Sequence, residues 1–189
     1  TSTLATRNTH SKELDIAMGF IEAQYAAMGL KTVRDPYTVR GKKLNNLVIE
    51  LPGKTNPSRV VFVGAHLDSL PAATGATDNA VGAVAALEAV RILKAIGVHP
   101  RRTIRVAIWS GEEVGFVGGR AYVRQHLADA AARELRERGW PAHARGVARE
   151  IRERPVQVVA RKIDAADALM QQCECDRRGE HRLQLLVLF

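Results

Sequence analysis

Apolar side chains recur at steps of three and four between residues 11 and 29. Leu14, Met18, Ile21, Tyr25 and Met28 make one helix face, and Gly29 is a stop signal. Residues 46–51 form a short apolar run closed by Pro52-Gly53, which reads as a strand and a turn. Residues 59–65 (RVVFVGA) and 103–109 (TIRVAIW) are continuous runs rich in β-branched residues, the pattern of strands buried on both faces. Between them, residues 79–96 predict a long helix. Its charges, Glu88, Arg91 and Lys94, fall on one narrow face, so a sheet is expected to cover most of the rest. A further helix is expected to start at 118–125. Strand, helix, strand, helix in this order predicts an α/β layered fold with parallel neighbours and right-handed crossovers.

The pattern changes near Leu127. Beyond it Ala, Arg and Glu dominate, helix propensity is high, and the apolar stripe is thin and irregular. The chain therefore divides into residues 1–128 and an atypical Arg/Ala-rich tail, 129–189, expected to be helical or disordered. The tail ends on the apolar stretch LQLLVLF.

The bulk numbers narrow the function class. With 189 residues, 46% of them hydrophobic, the chain is long enough to bury a core. Aromatic residues are only 5%, so that core is aliphatic. The net charge of +8 raises the question of nucleic acid. The basic residues are spread along both parts, with no clean run interleaved with aromatics, so nucleic acid is not an expected partner. No apolar run approaches the roughly 20 residues that span a bilayer, and residues 1–10 do not read as a signal peptide. Cys173 and Cys175 are one residue apart, too close for an easy disulfide and without the second pair of a zinc ribbon.

Three polar clusters interrupt the apolar framework. His66-Leu67-Asp68 follows the first buried strand, Thr77-Asp78-Asn79 opens the long helix, and Gly111-Glu112-Glu113 follows the second buried strand. In open α/β sheets the carboxyl ends of strands line the ligand crevice, so all three are expected to meet there. Imidazole with carboxylates is a donor set for zinc. His66 and Asp68, two apart on extended backbone, point the same way, so Asp68 can orient the imidazole. Glu112 and Glu113 are neighbours and point apart, so one can bind metal while the other serves as a base. Each cluster alone has a plainer reading. His-x-Asp is commonly structural, a Glu pair is commonly solvated, and Thr-Asp-Asn is a common helix cap. Their joint occurrence in this order favours a metal site.

Residues 44–126, with GAHLDS, GATDN and SGEE, resemble the M28 family of zinc aminopeptidases and carboxypeptidases, nearest to the plasma glutamate carboxypeptidase branch. The resemblance implies a three-layer α/β sandwich with a mostly parallel central sheet, the phosphorylase/hydrolase-like exopeptidase fold, here incomplete. It implies two zinc ions, with His66 and Glu113 each binding one, Asp78 bridging them, Asp68 orienting His66 and Glu112 acting as general base. It implies a cis peptide bond at Asp78-Asn79, a peptide substrate, and a secreted or periplasmic location. The family supplies two later ligands, an Asp in an Asn-Leu-Asp-like setting and a distant His. Neither motif occurs here, and Asp164, Asp167 and His181 sit in no matching context. The expectation is a zinc exopeptidase of aminopeptidase type, weak or inactive as written, its tail arising from truncation or a shifted frame. The alternatives are a non-catalytic domain resembling the transferrin receptor and a glutaminyl-cyclase-like acyltransferase.

Overall fold

A computed structural model describes residue 4, residues 6–127 and the backbone of residues 184–187. The tail reading over 129–183, the Cys173/Cys175 pair, Asp164, Asp167 and His181 lie outside the described residues. Of the described residues, 4–118 and 184–187 belong to one compact unit and 119–127 to a second.

Helix α1 (Lys12–Ala27) buries Leu14, Ala17, Met18, Ile21 and Tyr25, close to the face expected from the three-and-four spacing. Ser11 caps it, its hydroxyl accepting from the Leu14 N–H at 3.1 Å. Gly29, at φ 72°, turns the chain out of the helix.

Strand β1 (Thr32–Val39) was not expected, because Pro36 and Asp35 break the apolar pattern. It lies at the edge of the sheet, where a proline is tolerated. It pairs antiparallel with β2 (Lys42–Leu51), which begins four residues before the expected start. The two residues between them, Arg40 and Gly41, both have positive φ, as a tight hairpin requires.

Strands β3 (Asn56–His66) and β4 (Arg102–Trp109) are the two apolar runs, and they pair in parallel with His66 opposite Trp109. Strand β2 pairs antiparallel with β4, and a short strand β5 (Gln184–Val187), within the apolar terminal stretch, pairs in parallel with β3. The sheet is therefore mixed, in the order β1-β2-β4-β3-β5.

Register builds the core. Leu47, Ile108 and Ala65 align across three strands, as do Ile49, Val106 and Val63. This face packs against α1 and against Ala83, Ala86 and Val90 of α2 (Val81–Ala95). Coverage of α2 is narrower than expected, since Val81, Val84 and Ile92 remain exposed. One sheet face reaches only one side of a helix. On the opposite sheet face Phe62 stacks on Trp109, with ring centroids 5.8 Å apart. Gly64 leaves room for that indole: a Cβ there would lie 3.1 Å from Trp109 Nε1.

After β4 the chain forms a short helix α3 (Val117–Tyr122) and a π-helical turn (Val123–Leu127), where the start of a further helix was expected. None of the described helices is long and apolar enough to cross a membrane.

Candidate metal centre

Parallel pairing with His66 opposite Trp109 makes β3 and β4 end at the same edge of the sheet. The pairing runs one step further, since the Leu67 N–H donates to the Trp109 carbonyl at 3.0 Å. His66-Leu67-Asp68 and Ser110–Glu113 therefore leave the sheet side by side. The crossover from β3 to α2 returns over the same edge. It ends in a π-helical turn (Ala76–Ala80) that carries Asp78 and leads into α2. The Asp78-Asn79 peptide bond is cis, as the resemblance implies. Asn79 is fully buried, and its side-chain oxygen accepts from the Gly82 N–H at 3.0 Å, closing the first turn of α2. A Cβ at Gly82 would sit 2.3 Å from that oxygen, so the approach needs glycine.

These loops bring His66, Asp78 and Glu113 together. One ligand atom from each lies within 4.8 Å of the others. His66 Nε2 is 2.9 Å from Asp78 Oδ1 and 3.8 Å from Glu112 Oε2. The other ring nitrogen, Nδ1, faces the Asp68 backbone carbonyl at 3.1 Å. With the proton on Nδ1 donated to that carbonyl, Nε2 would be left to offer its lone pair to a cation held among the carboxylates. This is the usual orienting device behind a metal-bound imidazole.

Asp68 is fully buried and does more than face the ring. Its carboxylate lies 3.6 Å from Nδ1 and accepts from the Glu112 N–H at 3.1 Å, the Glu113 N–H at 3.2 Å and the Thr9 hydroxyl at 2.9 Å. It ties the end of β3 to the loop that follows β4.

The electrostatics follow from this crowding. Burial alone would lower the His66 pKa. The hydrogen bond to Asp68 and the charges of Glu112 and Asp68 outweigh it, and the pKa is pushed up to about 9. Burial raises Glu112. His66 opposes that shift, while Glu113, Asp68 and Asp78 add to it. Burial and the charge of Asp78 likewise raise Glu113. Glu112 and Glu113, both held above the ordinary carboxylate range, mark a site short of positive charge. A divalent cation with one imidazole and two carboxylates supplies it, so the donors present fit zinc.

The supporting residues were not legible in the sequence. Asn46 is fully buried. Its side-chain oxygen accepts from the Ser110 N–H at 3.2 Å and its amide donates to the Gly118 carbonyl at 3.1 Å, bracketing the loop after β4. The Tyr37 hydroxyl donates to the Ser110 carbonyl at 2.7 Å. Gly111 has φ 70°, and a Cβ there would meet Val117 at 2.5 Å and the Tyr37 hydroxyl at 3.0 Å. Arg7 is buried against the loop between His66 and Asp78. An Asn inside an apolar run was the available signal for Asn46. Arg7 had none.

Residues 46–135 match the sequence profile described as Peptidase family M28. Over 86 residues the chain is 40% identical to a carboxypeptidase Q of Bos taurus, which covers 46% of this chain and 18% of that protein. Over 99 residues it is 40% identical to an aminopeptidase of Pseudomonas aeruginosa, covering 52% of this chain and 18% of that protein. Among solved structures, LapB from Legionella pneumophila superposes with a TM-score of 0.60 at 21% identity, over 68% of this chain and 37% of that one. At that identity the likeness is one of fold. The chain spans about a fifth of the length of these curated relatives.

Proposed function

We propose, from the match of residues 46–135 to the profile of peptidase family M28, that this chain carries the metal-binding part of a zinc-dependent exopeptidase centre of aminopeptidase type, which hydrolyses terminal peptide bonds. The observation that carries the reading is the convergence of His66, Asp78 and Glu113, with ligand atoms within 4.8 Å of one another. Zinc bound by these residues would acidify a water molecule and polarise the scissile carbonyl. The protein's own groups do the rest. Glu112 sits beside the cluster without belonging to it, and its raised pKa suits a base. It takes the proton of the attacking water and delivers it to the departing amine as the C–N bond breaks. Asp68 holds the His66 ring and both backbone amides of the Glu pair.

Three donors suffice for one catalytic-type zinc. A second ion, with Asp78 bridging, needs further ligands. On this reading the chain takes up one zinc firmly, a second weakly, and turns over slowly. A secreted or periplasmic location goes with it.

The test is zinc titration followed by native mass spectrometry, with hydrolysis of a leucine anilide measured on the same sample. One tightly bound zinc with little turnover is the expected result. Two zincs with fast turnover would mean that the centre is complete. No bound zinc would overturn the reading in favour of a non-catalytic domain.

A further inference from the structure

We propose that Arg7 and Thr9 are positioning residues, a strap that holds the loop from Leu67 to Asp78 in the shape that brings Asp78 to His66. The link to metal rests on the function proposed above, but the strap itself does not. Residues 67–75 form neither helix nor strand, so their backbone carbonyls have no ladder partners. Arg7, 1% exposed, serves three of them. Its Nε donates to the Leu67 carbonyl at 2.9 Å, Nη1 to that of Thr74 at 2.8 Å and Nη2 to that of Gly75 at 2.7 Å. The planar guanidinium thus clamps both ends of the loop at once, which the single ammonium of a lysine cannot do.

The backbone of Arg7 makes a second attachment. Its N–H donates to the Ser69 hydroxyl at 2.9 Å, and its carbonyl accepts from the Ser69 N–H at 3.2 Å. Two residues on, the Thr9 hydroxyl donates to the carboxylate of Asp68.

The clamp reaches the ligand itself. The Gly75 carbonyl also accepts from the Ala80 N–H at 3.0 Å, so one oxygen links Arg7 to the turn that carries Asp78. Gly75 has φ 60°, and a Cβ there would lie 2.6 Å from Arg7 Nη2 and 2.4 Å from the Ser69 Cβ. The loop closes on the guanidinium with no space left for a side chain.

A merely structural arginine would stabilise the whole fold evenly, whereas a strap acts locally. In metal-free full-length protein, Arg7→Met should speed hydrogen exchange at the amides of residues 67–80 and leave α1 and β4 protected. Its zinc affinity should fall about 10- to 100-fold, the range for partners just behind metal ligands. Arg7→Lys, which keeps the charge and loses the planar fork, should fall between Arg7→Met and wild type in both readouts. Should Arg7→Met not fold, Arg7→Lys carries the comparison. Unchanged exchange at residues 67–80, or acceleration spread equally over α1 and β4, would overturn the strap. If wild-type protein binds no zinc, the metal reading falls, and the exchange pattern still decides whether the strap exists.

Discussion

The loops that bear His66, Asp78 and Glu113 and the segment that bears Arg7 and Thr9 meet at the same sheet edge, yet they carry different information. The loops hold residue types that announce chemistry, on backbone that an isolated chain would not hold still. Residues 6–9 hold ordinary polar types, and in the fold Arg7 and Thr9 are buried. Arg7 reaches a carbonyl 60 positions further along the chain. The identity of a ligand is thus local, and its placement is distant. Substitutions in the two regions should separate along that line. Changes in the loops remove the capacity to bind, and changes in the N-terminal segment loosen it.

The largest effect should come from the proposed ligands. Asp78→Ala removes a carboxylate from a three-donor cluster, and zinc affinity should drop by more than about 100-fold, beyond the range for supporting partners. Its side chain is exposed, so the metal-free protein should unfold at nearly the wild-type temperature. Glu112→Gln should do the reverse of a ligand change, keeping zinc while lowering hydrolysis by about 100-fold or more. Calorimetric titration beside anilide hydrolysis reads both. Equal zinc affinity for Asp78→Ala and wild type would erase the distinction between the two regions.

A second effect depends on pH and belongs to the loops alone. A metal-binding imidazole must be neutral, and the His66 pKa is pushed up to about 9. Zinc must then displace a proton below that pH. Affinity should rise about tenfold per pH unit from 7 toward 9 and level off above. The stability of the metal-free protein runs the other way. The folded pKa lies above the ordinary value of 6.5, so the contribution of protonated His66 is fully present below about 6.5 and is lost as pH climbs through about 9. Thermal unfolding with and without zinc across this window should show the two curves diverging. Curves that stay parallel would mean that His66 is not a ligand.

Legibility in the sequence follows the same division. The two buried strands and α1 were readable because runs of Val and Ile, or apolar steps of three and four, depend on neighbours only a few residues away. That His66, Asp78 and Glu113 meet was readable from their types and from their positions past two strand ends and at the start of the helix between them. Strand β1 was not, because Pro36 argues against a strand and only its edge position admits it. The exposed stripe of α2 was not, because periodicity shows which side chains are apolar and not which side meets a sheet. Asn46, Tyr37 and Arg7 act through contacts made only after the chain has folded back.

The smallest predicted effect probes the weaker half of the strap. Thr9→Val keeps the shape of the side chain and removes one hydroxyl. Asp68 loses one of three donors but keeps the N–H groups of Glu112 and Glu113. A single hydrogen bond to a buried carboxylate is worth about 1.5 kcal/mol, so the urea midpoint of the metal-free protein should fall by that equivalent. Zinc affinity should fall less than tenfold, since His66 is still oriented by the Asp68 carbonyl, which Thr9 does not touch. A loss of affinity as large as that expected for Arg7→Met would mean that the Asp68 carboxylate, and not the loop carbonyls, sets the position of the ligands. The boundary between identity and placement would then run through Asp68.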